Sequence, residues 1–252
     1  MTPPADPRGL YSSRVREYLL YRPGYPRKVA DLLMEEFRLD GASVVADIGS
    51  GTGRFTALFD RRVGRVYAVE PNDEMRLASV EVLRNQKNCT VAKGDAENTG
   101  LESGSVDLVV CAHAFHYFDR EAARTEFCRI LKRVKNAAIV WNRRNLKSPF
   151  LADLDGLLRR RTPDFSEITH HNLSDESVLD FFRDGAKSVV RHAQKFSFQA
   201  LCGRLKSSVY CPLPGEENHD RLFQELEVLF GRYEKNGLVD YPYDAEIFFG
   251  TI

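Results

Sequence analysis

Five short apolar runs, most of them β-branched and separated by stretches with helical spacing, fill the first 145 positions and leave few folds open to this chain. They are Val44 to Ile48, Arg65 to Glu70, Thr90 to Lys93, Val106 to Cys111 and Ala137 to Trp141. An unbroken run such as Val44 to Ile48 suits a strand covered on both faces. Between the runs, Ala122, Ala123, Phe127, Ile130 and Leu131 recur at helical spacing behind Asp119, a residue type that caps helix N-termini. Val29, Leu32, Leu33 and Phe37 form a similar stripe before the first run, with Pro26 near its first turn. Alternation of this kind predicts an α/β fold, a parallel sheet with helices on both faces. The 252 residues can bury one large core, so a single domain over 11–252 is expected behind a Pro-rich, disordered lead over 1–10.

The pattern changes after position 148. Residues 149–187 read as a helical cap inserted behind the fifth strand, containing the run Arg159 to Arg161 and a helical stretch from Ser174 to Phe182. Alternation returns at Ser188 to Phe198, a sixth strand. Leu222, Phe223, Leu226, Leu229, Phe230 and Tyr233 then mark an amphipathic helix that ends near Asn236-Gly237, and Ala245 to Ile252 is a seventh strand.

Composition excludes several function classes. Lys and Arg number 36 and Asp and Glu number 36, so there is no basic excess for a duplex, and nucleic acid is not an expected partner. The five cysteines form no C-x-x-C pair that would suggest zinc or a redox centre, and a reduced, cytoplasmic setting fits them. No window approaches the roughly 18 apolar residues of a membrane span.

The sharpest local feature is Asp47-Ile48-Gly49-Ser50-Gly51-Thr52-Gly53, where the first strand gives way to a helix expected to begin near Arg54. Glycines let the backbone turn tightly and approach a ligand, and a helix N-terminus offers unpaired N–H groups. The spacing is G-x-G-x-G. Arg54 stands where the dinucleotide fingerprint has its third glycine, and no G-K-[ST] follows, so a nicotinamide site and a phosphate loop are both disfavoured. By itself the turn is equally an ordinary strand-to-helix connection. Its context is more specific: Glu70 ends the second run and Asp95 follows the third, which puts two further acids at the edge where open α/β sheets bind ligands. Glu70 suits ribose hydroxyls. Asp95 suits an adenine amino group, or alternatively a plain turn.

These residues resemble class I S-adenosylmethionine-dependent methyltransferases, the methyltransferase type 11 group. Asp47 to Gly53 is similar to the first motif of that family, and Val69-Glu70-Pro71-Asn72 with Met75 to the second. Gly94-Asp95-Ala96-Glu97, Gly104 to Val109 and Ala112 to Phe118 resemble the third and fourth, and Glu126 to Lys132 its E-x-x-R-x-L-K helix. Tyr18 and Arg22-Pro23-Gly24-Tyr25-Pro26 resemble the opening of the trans-aconitate methyltransferase-like subgroup. The resemblance runs from about Tyr11 to Trp141. It implies a Rossmann-like seven-stranded, mostly parallel sheet with the last strand antiparallel, and S-adenosyl-L-methionine as cofactor. It also implies that Gly49, Ser50, Gly51 and Gly53 lie against the methionyl part and ribose, with Asp47 near the amino group. Glu70 with Pro71 would serve the ribose, Met75 the adenine face, and Asp95, Ala96 and Glu97 the adenine edge. His113 and Ala114 would sit beside the sulfonium, and Tyr18 and Arg22 would close over the cofactor carboxylate. Where the family has a Pro-Gly-Gly turn after the helix, this chain reads Arg133-Val134-Lys135-Asn136, and Asn136 can adopt the left-handed geometry of such a turn.

Methyl transfer from a sulfonium is an in-line displacement that needs alignment and exclusion of water, plus a base only for some acceptors. His116 is the candidate base, against the plainer reading that it and Tyr117 line the pocket. Cys111, His113 and His116 lack a fourth ligand, so no metal is expected. The tetrapeptide Ala114-Phe115-His116-Tyr117 replaces the N/D-P-P-aromatic sequence of nucleobase amino-methylating enzymes. Arg143, Arg144 and Arg159 to Arg161 are candidates for binding an anion, although a charge run is usually a solvated face. Trp141, Phe150, Phe165, Tyr210 and Tyr241 either line an apolar pocket or are core. The expectation is a monomeric or homodimeric methyltransferase for an anionic or polar small-molecule acceptor. A non-catalytic cofactor-binding partner and a nucleotide-dependent oxidoreductase are the alternatives.

Overall fold

Strand β1 (Val44–Ile48) is buried at four of its five positions, as a strand with helices on both faces must be. In the computed structural model, which describes residues 11–162, 165 and 173–252, it lies near the middle of one seven-stranded sheet. The other strands are β2 (Arg65–Val69), β3 (Cys89–Ala92), β4 (Val106–Ala112), β5 (Leu131–Arg144), β6 (Ala186–Phe196) and β7 (Val239–Thr251). Their order is β3-β2-β1-β4-β5-β7-β6. The sheet is parallel from β3 to β5, and β7 runs antiparallel to both of its neighbours, β5 and β6. The order reverses beside β1, so the β1 and β4 connections leave in opposite directions and open a crevice at their carboxyl ends. The expected α/β sheet with an antiparallel last strand is the observed one. That strand is inserted between β5 and β6 and does not close an edge.

Helices α1 (Val15–Tyr21), α2 (Arg27–Glu36), α3 (Asp73–Leu83) and α4 (Arg120–Ile130) belong to the first half. Pro26 is the N-cap of α2, and Asp119 caps α4 by accepting from the N–H groups of Glu121 and Ala122. One sheet face packs Ala46, Ile48, Phe127, Ile130 and Trp141 into a core, and the other packs Val45, Val66 and Val140 against Val29 and Leu33 of α2. Successive residues of a strand point to opposite faces, which is why Val45 and Ala46 fall in different cores.

The second half supplies α5 (Pro149–Arg161), α6 (Asp175–Leu179), α7 (Phe198–Lys206) and α8 (His219–Tyr233). The cap expected over 149–187 contains α5 and α6. A third apolar cluster joins Leu154 and Leu158 of α5 to Leu201 and Leu205 of α7 and to Leu222 and Leu226 of α8, so the helical layer also draws on the β6–β7 connection.

Two local expectations differ. No α-helix begins at Arg54; the chain makes a single 3₁₀ turn, Thr56–Phe59. Thr56 donates its hydroxyl to Asp47 Oδ2 at 2.6 Å, and Phe55 and Phe59 are drawn into the core, so tertiary contacts override the helix propensity of Arg54, Ala57 and Leu58. Nor does Asn136 make a left-handed turn. The pairing passes from Val106 with Leu131 to Leu108 with Asn136, so the additional residues form a bulge and Asn136 lies within the continuous β5. The lead over 1–10 lies outside the described residues.

Candidate functional site

The glycine turn is strapped to the end of β2: the N–H groups of Gly49 and Ser50 both donate to the carbonyl of Val69, at 2.9 and 3.1 Å. Gly49 has φ +70°, and a Cβ placed there would come within 2.5 Å of the Ala114 Cβ, so the turn lies directly on the segment that follows β4. Gly51, at φ +56°, lies beneath Met75 and Tyr18: a Cβ there would meet Met75 Cε at 3.4 Å and the Tyr18 hydroxyl at 3.9 Å.

Three acids were expected at this edge, and the structure distinguishes them. Asp47 is fully buried at the end of β1, with Oδ2 held by Thr56. Among the described residues its Oδ1 has no hydrogen-bond partner, and neither do the hydroxyls of Ser50 and Thr52. Burial raises the Asp47 carboxyl to about 7, only partly opposed by the Thr56 hydrogen bond and reinforced by Glu70. Glu70 spans the neighbouring turn, accepting from Gly51 N at 2.8 Å through Oε2 and from Asn72 N at 2.9 Å through Oε1. Its pKa is also raised by burial, which those two N–H groups oppose. Asp95 accepts from Asn98 N at 2.8 Å in a closed turn, Ala96 is buried core, and Glu97 Oε1 accepts from Asp119 N at 2.9 Å, which ties this loop to the start of α4. Pro71 is half-buried next to Glu70, and Asn72 caps α3 through Met75 N.

His113 follows β4 directly in left-handed backbone, φ +58°, an uncommon geometry for a residue other than glycine. Its Nε2 accepts from the Asn142 N–H at 2.9 Å, and burial, followed by nearby Arg22, holds its pKa well below the usual histidine value. The ring is therefore neutral at physiological pH. His116 Nδ1 accepts from the Trp141 indole N–H at 3.4 Å, and burial, with Arg22, lowers its pKa to about 3.

The chain from Tyr11 to Gly24 crosses above this cleft. Arg14 donates to the carbonyls of Lys206 and Cys211, Arg22 to that of Ser207 at 3.1 Å, and Asn142 Nδ2 to that of Gly24 at 3.1 Å. Arg54, the residue at the dinucleotide position, donates to the carbonyl of Leu19 and so locks α1 to the turn. Tyr18, Arg22, Tyr25, Gly49, Thr52 and His113 line the resulting cleft.

A family model for a methyltransferase domain matches residues 46–136, the segment that carries the turn, the acids and the His113 loop. An uncharacterized methyltransferase-like protein of Schizosaccharomyces pombe is 34% identical over 156 residues, 61% of this chain and 59% of that one, so the chain spans about six-tenths of that relative. An uncharacterized methyltransferase of the same yeast is 30% identical over 224 residues, covering 86% of this chain and 85% of the relative. The chain belongs to the class I S-adenosylmethionine-dependent methyltransferases. The fold of this methyltransferase also matches the solved structure of a candidate type II methyltransferase from Anaeromyxobacter dehalogenans, with a TM-score of 0.70, 21% identity, and 92% of this chain and 98% of that one covered.

In the methyltransferase, Tyr18, Arg22, Gly49, Ser50, Gly51, Met75, His113 and Ala114 are brought together around the turn, while Asp47 and Gly53 buttress it from below, Gly53 against Leu83. Asp95, Ala96 and Glu97 lie farther along the same edge. Sequence reading missed Tyr25, Arg54 and Asn142, which line the cleft, although Tyr25 stands in the quoted Arg22 to Pro26 stretch. Arg159, Arg160 and Arg161 are occupied by Asp155 and Glu225, so that run joins α5 to its own acid and to α8. Arg143 pairs with Glu246 at 2.6 Å. Among the described residues no group of acids, histidines and cysteines could hold a metal, and no helix is long and apolar enough to cross a membrane.

Proposed function

We propose that this protein transfers a methyl group from S-adenosylmethionine to an oxygen or nitrogen of a small-molecule acceptor, beneath the roof made by α1 and the helical layer. The observation that carries the reading is Asp47, a fully buried carboxylate whose Oδ1 has no hydrogen-bond partner among the described residues and whose pKa is raised to about 7. Buried carboxylates are normally paired. An ammonium group such as that of the cofactor's methionyl part supplies the missing partner, and the unmatched Ser50 and Thr52 hydroxyls are of the kind that would hold its polar atoms.

The residues fit the rest of the cofactor in kind. Glu70 keeps lone pairs beyond the two N–H groups it accepts from, enough for ribose hydroxyls. Met75 is buried and apolar, suited to a flat base, with Asp95 and Ala96 farther along the edge. Tyr18 and Arg22 descend from α1 toward the turn, where a guanidinium suits a carboxylate. When bound, the cofactor supplies an electrophilic methyl group on a sulfonium.

The chain's own contribution is alignment and exclusion of water. His113, neutral and fixed by Asn142, presents no charge that would repel a cationic sulfonium. His116, at about 3, is too weak a base to draw a proton from an alcohol or an ammonium, which favours acceptors that arrive with a free lone pair. The roof over the cleft favours an acceptor of small size.

Calorimetric titration with S-adenosylmethionine tests the first part, and the absence of binding at millimolar concentration would overturn it. Incubation with labelled cofactor and a fractionated metabolite extract tests the second. Label incorporated only into macromolecules would refute the small-molecule acceptor.

A further inference from the structure

Two guanidiniums stand in the third apolar cluster, and its hydrophobic packing does not explain them. The Arg144 side chain is 6% exposed and Arg204 as a residue 6%. Arg204 donates to the Tyr243 hydroxyl at 3.3 Å and to the Ser208 hydroxyl at 3.0 Å, and no carboxylate among the described residues lies within ion-pair distance of it. Arg144 Nη2 pairs with Asp155 at 2.9 Å, but Asp155 also holds Arg159 at 2.7 Å. The Tyr241 hydroxyl is buried beside Arg144, whose guanidinium interacts with it. Arg144 thus shares its carboxylate with Arg159, while Arg204 is met by hydroxyls alone. A buried charge without its partner is costly, and a fold retains one where something else completes it.

Aromatic rings surround the two guanidiniums. Tyr241 and Tyr243 lie with ring centroids 4.9 Å apart, Phe165 meets Tyr210 at 4.9 Å, and the Arg144 guanidinium lies over the Phe165 ring at 5.1 Å. Burial acts to raise the Tyr210 hydroxyl, but Arg144 and Arg204 outweigh it and leave the group below the ordinary tyrosine value, a sign of net positive potential.

The pair is also connected to the methyl-donor side. His113 accepts from the Asn142 N–H, the Asn142 carbonyl oxygen Oδ1 contacts His192 Nε2 at 2.9 Å, His192 stacks on Tyr243 at 5.2 Å, and Tyr243 receives Arg204. Arg22, on the roof, bears on both His113 and Tyr210.

We infer that Arg144 and Arg204, with the hydroxyl of Tyr241, form a subsite for an oxyanion of the methyl acceptor, a carboxylate or a phosphate ester. A planar guanidinium offers paired N–H donors that match either group, and the tyrosine rings provide dry walls that strengthen the contact. The inference rests on the methyl-transfer reading only in naming the ligand as the acceptor. The anion site itself stands on two buried guanidiniums, Arg144 with a shared carboxylate and Arg204 with hydroxyls alone.

The test uses the full chain with S-adenosylhomocysteine added and titrates succinate, glycerol 2-phosphate and, as a neutral control, succinamide. One or both anions should bind while succinamide does not. Arg204→Gln and Arg144→Gln should each weaken anion binding at least tenfold, with S-adenosylhomocysteine affinity unchanged within twofold. Tyr241→Phe, which keeps the ring, should weaken it about threefold and guards against loss of folding in the arginine variants. Preference for succinate assigns a carboxylate and preference for the phosphate ester assigns a phosphate; either supports the subsite. No binding of either anion, or equal binding by wild type and all three variants, would overturn it. Anion binding by a protein that fails to take up S-adenosylhomocysteine would leave the subsite standing and count against the methyl-transfer reading.

Discussion

Asp47→Asn separates the function of the buried acid from its cost. The Asp47 carboxyl rises from 3.8 to about 7 because burial penalises its charged form. A carboxyl with a folded value above its unfolded one holds its proton more tightly when folded, so its contribution favours folding below pH about 4 and is lost as pH rises to about 7. At about 1.4 kcal/mol per pH unit, the full change is roughly 4 kcal/mol. Asparagine is isosteric, can still accept from Thr56, and carries no charge to bury. The variant should therefore match the wild type in stability near pH 4 and exceed it progressively, by up to about 4 kcal/mol at pH 7.5, without ligand. Cofactor binding should move the opposite way. Wild-type affinity should fall up to tenfold per pH unit as pH drops below 7, because an ammonium binds the ionised carboxylate and expels its proton, whereas the variant should bind weakly and show no such slope. Urea unfolding between pH 4 and 8 measures the first effect, and calorimetry in buffers of different ionisation enthalpy counts the released proton. A stability gap that stays constant within about 0.5 kcal/mol across that range would refute the reasoning, because it would mean that Asp47 does not titrate as a buried, unpaired acid.

Gly49→Ala should destabilise by about 2–4 kcal/mol, since it combines positive φ with a Cβ 2.5 Å from Ala114, whereas Gly51→Ala should cost about 1 kcal/mol because its nearest neighbour is the flexible Met75 tip at 3.4 Å; thermal unfolding of the pair checks the ranking. His116→Asn should retain kcat within about tenfold, and the wild-type pH–rate profile should show no imidazole limb between pH 5 and 8; a limb near 6.5 that the substitution removes would restore His116 as the base. Glu126 is held at about 2 chiefly by Arg129, with the Thr99 hydroxyl and N–H also lowering it, so its stabilisation is complete above pH about 4.5 and disappears as pH falls toward 2; Glu126→Gln should cost about 2–3 kcal/mol at pH 7 and flatten the acid limb of a urea-unfolding series. Glu70→Gln should lower S-adenosylhomocysteine affinity about tenfold by weakening a charge-assisted set of contacts, and unchanged affinity in calorimetry would remove Glu70 from the cofactor site.

Legibility in the sequence followed how local the determining physics was. β1 is legible at its observed limits because a short, mostly apolar, β-branched run stops at a glycine turn, and Asp119 is legible as a cap because capping depends on residues two and three positions away. β5 and β7 were found only at their apolar centres. Their ends, Leu131 to Asn136 and Val239 to Asp244, carry charges and a proline that alternation cannot register, and they become strands through the neighbours that pair with them. The same distinction divides the site. Gly49, Asp47 and Glu70 lie within one short turn or at adjacent strand ends, so spacing revealed them. Arg204 lies on the same face of α7 as Leu201 and Leu205, and no local signal tells what an arginine on that buried face meets; only the fold brings it to Tyr243 of β7. The conspicuous run Arg159 to Arg161 drew attention as an anion site, yet it is neutralised by Asp155 and Glu225. A dense charge run evolves its counter-ions easily on a solvated surface, whereas an isolated arginine carried into an apolar layer has to meet its counter-charge through tertiary structure or through a ligand. Counting charges along the chain gives a net of zero. Counting them after folding leaves, among the described residues, a buried acid with one unmatched oxygen under the glycine turn and, about Tyr243, a buried Arg204 without a carboxylate beside an Arg144 that shares one.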